Sequence, residues 1–393
     1  MADKNGLYEV DLDEIDEKLK EHRAAKRTRI ITLALIVILT LVLIVLWNAL
    51  RSYTSYEVLD ELELEGNSIN SYASFGSSIL EYSNDGIVCL DASGQPVWNR
   101  SYEMSAPQVD ICQECMAVYD RDGTEIYIMS SDAIIGMVET SLPITDVSVS
   151  SQGLVAVLMR QNNNFLLKLY DTDGEEIAGG EIYGREGSIP TCIALSDAGT
   201  KLAVNMVDIT EGSVDARIVF YNFNRTGQKA DNNIVGEFTR EDMLVADIDF
   251  LSDTTMLAFA DSGVLTFEGK ESPSLSREKS FENTPESVFH NTRYYGAVYS
   301  NNDEENTYHI EVYDLNNNKV MEHDTAVAYE EVSLLENNEI CVRGSHDVEL
   351  YTIRSIRKFT CSFEEQVYEF LYGGISGEYL LVRDSGVDEI RLK

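Results

Sequence analysis

The sequence predicts an all-β fold, an extracellular β-propeller preceded by one transmembrane α-helix. Three observations predict it. Residues 30–50 form an uncharged apolar run, the residues after it carry only short strand-like runs, and those runs recur at intervals of 36 to 55 residues. Repeats of about 40–45 residues with four strands each mark propeller blades.

Residues 1–29 read as a cytoplasmic tail. They hold seven basic and eight acidic groups, so nearly all of the chain's net charge of −38 lies further on. Leu12, Ile15 and Leu19 share one helical face, and six of the seven bases fall between Lys18 and Arg29. Arg23, Lys26, Arg27 and Arg29 are the orienting charges, because the flank richer in Lys and Arg stays inside. Behind the run only Arg51 precedes Glu57, Asp60, Glu61, Glu63 and Glu65.

Residues 30–50, IITLALIVILTLVLIVLWNAL, are long enough as a helix to cross a hydrocarbon core of about 30 Å. The run exceeds a signal peptide's apolar region and lacks a small-residue cleavage site, so it reads as an uncleaved anchor. Residues 51–56 are then a linker. Residues 57–393 form the propeller, on the outer face of the cell membrane.

Within the propeller, one recurring unit is a short strand, a polar turn and a very apolar strand, as in DVSVSSQGLVAVLM (146–159) and CIALSDAGTKLAVNM (192–206). The other is an apolar strand ending in Asp or Asn, a turn with Gly or Asn, and a further strand, as in LKLYDTDGEEIAGG (167–180). Unit starts near Ser68, Val109, Thr145, Thr191, Ala246, Glu286, Glu330 and Tyr368 favour eight blades, with seven as the alternative. The last unit has room for three strands only. EVLDELELE (57–65) is assigned as its missing outer strand, closing the ring between the two ends of the domain and hiding an edge. The unit of 55 residues carries an insertion, placed at Asp208 to Ala216.

LDASGQPVW (90–98) resembles the strand, turn and docking tryptophan of quinoprotein-like repeats, and CIALSDAGTKLAV (192–204) is similar to the inner hairpin of WD40-like and TolB-like blades. The whole layout resembles an uncharacterised domain-of-unknown-function family of single-pass, propeller-like membrane proteins of Gram-positive anaerobes. That resemblance implies architecture and address. A quinone cofactor is not expected, since Trp98 is the sole tryptophan after the span and no adjacent cysteine pair exists. No cofactor is predicted.

Candidate chemistry rests on acids. Asp110, Asp146, Asp247, Glu331 and Glu369 fall at or near one register of the first strands, where a propeller lines its central channel. A ring of carboxylates there would hold a divalent cation such as calcium; the alternative is that each acid caps a turn or bonds a neighbouring blade. The Asp-x-Asp-Gly runs at 120–123 and 171–174 lack the further ligands of a calcium loop and read as turns. Cys112 and Cys115 are the only close cysteine pair, open to readings as unrelated strand residues, a local disulfide, or half of a metal or redox site without its other half. The five histidines, His290 among them, show no ligand spacing.

No phosphate loop, nucleophile elbow or metalloprotease motif is present. With 68 acidic against 30 basic side chains, the domain repels nucleic acid. The sequence therefore favours a non-enzymatic binding platform for an envelope protein or cell-wall ligand. Alternatives are an extracellular hydrolase or lyase using channel acids, and a sensor signalling through the tail.

Overall fold

A computed structural model describes residues 22, 26–27, 29, 31–40, 43, 50–63, 71–76, 78–91, 94–162, 164–182, 187–210, 212–301 and 307–393. The chain divides into two compact units, Met1–Ser52 and Tyr53–Lys393.

In the first unit residues 31–40 are helical. Among the described residues no helix is long and apolar enough to cross a membrane, so the spanning helix expected over 30–50 is not found at that length. Residues 30, 41–42 and 44–49 of that run lie outside the described residues, as does Arg23. Lys26, Arg27 and Arg29 are helical and exposed.

The second unit is an eight-bladed propeller, every blade a four-stranded antiparallel sheet. Blades 1 to 7 are meanders over residues 71–101, 107–139, 144–182, 188–240, 245–280, 287–325 and 329–362. Blade 8 takes three strands from 367–392 and its outermost from Tyr56–Glu63, which runs antiparallel to Gly386–Leu392 with Tyr56 opposite Leu392. Eight blades, rather than seven, and the closing strand both follow the sequence reading, apart from residues 64–65, which are not described.

The closing segment does more than complete one sheet. Tyr53 forms a parallel bridge to Phe359 of blade 7, donating its N–H to the Lys358 carbonyl at 2.8 Å, before the chain enters blade 8. Lys393 donates back to the Ser55 carbonyl at 2.8 Å. Blade 8 meets blade 1 through Leu371, Leu380, Val382 and Val387 packed on Ile79 and Leu90.

The second strand of each blade explains the runs of apolar residues. Val155 to Met159 are all buried, without alternation, because a strand covered by a blade on either side buries both its faces. The turn signals work as their residue types dictate. Asp171 accepts the amides of Asp173 and Glu175 at 3.0 and 2.8 Å, and Gly174 takes the left-handed position at φ +77°. In the run 120–123 the left-handed position falls on Asp122 at φ +65°, and the Asp120 carboxylate turns to the preceding connection, accepting the amides of Ser105 and Ala106 at 3.1 and 2.9 Å.

The insertion in blade 4 is divided between two places. A hairpin with ten-residue strands, Lys201–Thr210 and Ser213–Asn222, takes part of it, and the 3₁₀ turns Gly227–Lys229 and Asp231–Asn233 take the rest. Trp98 docks as expected of its position, donating its indole N–H to the Ser131 carbonyl of blade 2 at 3.1 Å.

Candidate functional site: the acidic channel

Five inner strands share an irregularity, and in four of them it positions an acid. The pairing of inner with second strand shifts by one residue at Thr145, Thr191, Ala246, Glu330 and Tyr368, so blades 3, 4, 5, 7 and 8 each carry a β-bulge. The residue after each bulge is Asp146, Cys192, Asp247, Glu331 or Glu369. A bulge re-aims the side chains beside it, and here it sets one tier of the channel.

Asp110 belongs to a second tier, two residues further along its strand. It accepts the Val149 amide of blade 3 at 2.6 Å, the contact that Ser148 makes with Leu195 of blade 4 at 3.0 Å. Asp146 instead accepts the Ile193 amide, at 2.8 Å, and the Tyr119 hydroxyl at 3.2 Å. The expectation of one register for all five acids is thus corrected. Blade 2 has no bulge, so counting residues along its strand misplaces Asp110 by two.

Asp249 joins the second tier, and it was missed. The alternation Asp247-Ile248-Asp249 places both carboxylates on one strand face with Ile248 in the core, a period-two signal that could have found it. These acids are surrounded by protein yet open to channel water. Burial pushes Asp110 up to about 7, and the charges of Asp146 and Asp247 push the same way against the Val149 hydrogen bond. Asp146 is raised to about 6, mainly by burial, and Asp247 is raised by burial as well. Asp249 reaches about 8 through burial and the charges of Asp110 and Asp247.

Glu331 and Glu369 form a separate group. Arg343 reaches the Glu331 carboxylate at 2.9 Å and Glu330 at 3.0 Å. Glu369 is pushed up to about 8 by burial and by the charge of Glu331, with Arg343 opposing. The five predicted acids therefore divide into an aspartate set on blades 2, 3 and 5 and an arginine-neutralised glutamate pair on blades 7 and 8.

At the end of the channel where the inner strands finish lies a cavity of ≈ 560 Å³. Asp110, Asp197, Asp249, His290, Arg293 and Glu336 supply its ionisable lining. Asp197 ties three blades together there: it accepts Gln113 Nε2 at 3.0 Å and faces Cys112 Sγ at 3.8 Å, while its carbonyl accepts Ser151 N–H at 3.0 Å. His290 Nδ1 lies 3.8 Å from Asp249, too far for a hydrogen bond, and the ring stacks on Phe259 at 5.1 Å. Burial lowers His290 to about 4, which keeps it neutral. No signal in the sequence pointed to Asp197 or His290, since both reach the mouth only through the stacking of blades.

Cys112 and Cys115 are both free, which corrects the disulfide reading. They face one another across the two-residue turn of a hairpin, but Cys112 turns to Asp197 and Cys115 donates to the Ser151 carbonyl at 3.2 Å. Burial and the Asp197 charge push the Cys112 thiol up to about 12. It is a thiol at neutral pH, unsuited to nucleophilic attack.

One group with metal-like spacing occurs among the described residues, away from the predicted acids. His309, Glu311 and Glu322 bring ligand atoms within 4.8 Å of one another on the outer strands of blade 6. Lys319 already bridges Glu311 and Glu322 at 2.7 Å each.

The profile of a family of unknown function, DUF5711, matches residues 49–392. The chain belongs to the DUF5711 family. None of the curated proteins matches it in sequence. Among solved structures, this DUF5711 chain is similar to the C-terminal WD40 domain of Sif2, with 10% identity over 87% of this chain and 99% of that one and a TM-score of 0.57. BamB from Moraxella catarrhalis is similar at 12% identity over 86% of this chain and 100% of that one, TM-score 0.51. Porphyromonas gingivalis dipeptidyl peptidase 4 is similar at 12% identity, TM-score 0.52, over 82% of this chain and 57% of that longer one. At such identities the likeness establishes the propeller fold, WD40-like and BamB-like, and no chemistry.

Proposed function

We propose that this DUF5711 protein is a non-enzymatic binding platform, anchored in the cell membrane by residues 30–50, with its propeller in the extracellular envelope and the channel mouth receiving a basic segment of an envelope protein. The observation that carries this reading is the mouth itself. Asp110, Asp197, Asp249 and Glu336 converge on one cavity, with Arg293 as the cation among its lining residues. Burial raises Asp110 to about 7 and Asp249 to about 8, so a basic segment draws their protons off as it docks, and complementary charge then favours it over an acidic one. Chemistry is the poorer reading because the thiols beside the acids, Cys112 and Cys192, are both held protonated and the imidazole stands beyond hydrogen-bond reach of Asp249. The reading needs no cofactor. Membrane anchoring rests on the uncharged run and on Lys26, Arg27 and Arg29 before it.

The test is a titration of the full-length chain with a lysine-rich peptide at pH 8.5, where Asp110 and Asp249 are mostly ionised, at low and moderate salt. Asp197→Asn with Asp249→Asn should weaken binding about tenfold, whereas Asp173→Asn with Glu175→Gln on the outer turn of blade 3 should leave it nearly unchanged. Equal losses from both pairs would mean diffuse attraction to an acidic surface and would sink the assignment of the mouth.

A further inference from the structure

A second site, independent of the channel, follows from comparing equivalent positions in successive blades. The third strands of blades 3 to 7 carry an aromatic residue where their pairing with the outer strand shifts register: Tyr170, Tyr221, Phe267, Tyr313 and Tyr351. The outer strand of the preceding blade covers that ring from one recurrent position. Val138 packs in the same apolar cluster as Tyr170. Phe238 meets Phe267 edge-on at 5.2 Å, Lys279 stands 4.7 Å over Tyr313, and His323 lies 4.0 Å from Tyr351. The four covered rings are buried.

The fifth position is Gly180. It sits opposite Leu167 as Phe238 sits opposite Ile218, two residues beyond the register shift, and so should cover Tyr221. It has no side chain to do so. A Cβ built on Gly180 meets nothing within 4 Å, and Tyr221 is only partly buried beside a cavity of ≈ 310 Å³ between blades 3 and 4. Leu167, Leu169, Leu202, Met206 and Val219 line that slot with Tyr221, and Arg217 stands at its wall.

We infer that the Gly180 slot is a binding site for an aromatic side chain of a partner protein, which takes the place over Tyr221 that Phe238 takes over Phe267. The floor is apolar, with Tyr221 and Phe223 among it, and Lys168, Glu181, Arg217, Asn232 and Asn233 form a polar rim, a setting in which an aromatic group gains from burial and from offset or edge contact. Met206 adds a polarisable sulfur at the wall. A cationic occupant, on the pattern of Lys279, gains no charge advantage, since the wall carries two cations, Lys168 and Arg217, paired at 2.8 Å with Glu176 and Glu237, against one acid, Glu181. The partner arrives as an extended segment. Gly180 belongs to Glu176–Ile182, the outermost strand of blade 3, whose free edge offers backbone groups for strand addition while the slot selects the side chain.

The experiment titrates the full-length chain by NMR with three peptides: acetyl-valyl-phenylalanyl-valine amide and its arginyl and alanyl counterparts. The phenylalanyl peptide should bind about tenfold tighter than either counterpart, and Gly180→Phe should abolish that preference by filling the slot from within. Gly180→Ala, a smaller change, should reduce it with the thermal midpoint held or raised. Equal or tighter binding of the arginyl peptide, or a preference that survives Gly180→Phe, would overturn the proposal. So would a dimer in sedimentation that Gly180→Phe dissociates, because the occupant would then be a second copy of this chain.

Discussion

Asp110 accepts the Val149 amide at 2.6 Å across the boundary between blades 2 and 3, and does so from a channel that holds its carboxyl near pH 7. The same residue thus fastens two blades and titrates in the neutral range. Its folded value lies above its ordinary 3.8, so between those values the native state holds more protons than the unfolded chain, and stability falls as pH rises. Asp146, Asp249 and Glu369, raised to about 6, 8 and 8, act in the same direction. The thermal midpoint should decline by several degrees between about pH 4 and pH 8.5. Asp110→Asn, which keeps an acceptor for Val149, should flatten the slope and stabilise at pH 8. A midpoint that rises with pH would contradict this account of the channel.

Closure of the ring depends on residues 53–63. Removing them would strip blade 8 of its outer strand, expose the edge of Gly386–Leu392 and break the bridge to blade 7. The expected result is aggregation, or a fall of more than about 5 °C in the thermal midpoint. Scanning calorimetry with size-exclusion chromatography measures both, and unchanged unfolding would show that the strand merely decorates the domain.

Arg383 and Asp388 pair within blade 8, with the Asp388 side chain only 1% exposed. Truncating one member of a buried ion pair leaves the other uncompensated, at a cost of about 3–5 kcal/mol. Arg383 also reaches Glu365 at 3.5 Å, which places the loss for Asp388→Ala at about 3 kcal/mol or somewhat less. Urea denaturation gives the number. Replacing both residues by apolar ones should cost less than Asp388→Ala alone.

Cys112 and Cys115 should remain reduced in air at neutral pH. Alkylation of unfolded protein prepared without reductant should label six thiols, and Cys112→Ser should leave the melting temperature nearly unchanged. A count of four would restore the disulfide.

Much of the fold was legible because its signals are local. Asp171 and Gly174 form their turn with neighbours in sequence, and the buried run from Val155 to Met159 announces a strand covered on both faces. The candidate site was legible only in part. Asp146, Asp247, Glu331 and Glu369 were aligned correctly because each follows a bulge that the repeat spacing registers, whereas Asp110 sits on an inner strand without one and slips by two residues.

The sequence by itself determined the repeat and the closure of the last blade by the propeller's first strand, and favoured eight blades over seven, since strand length, turn chemistry and a missing fourth strand are written along the chain. Only the tertiary structure decided which acids meet, that Asp197 and His290 share the mouth with Asp110, and that Gly180 leaves Tyr221 uncovered. The reason is physical. Those relationships arise between blades, where the rotation of one sheet against the next sets what each side chain faces, and pairing within a strand carries no record of it.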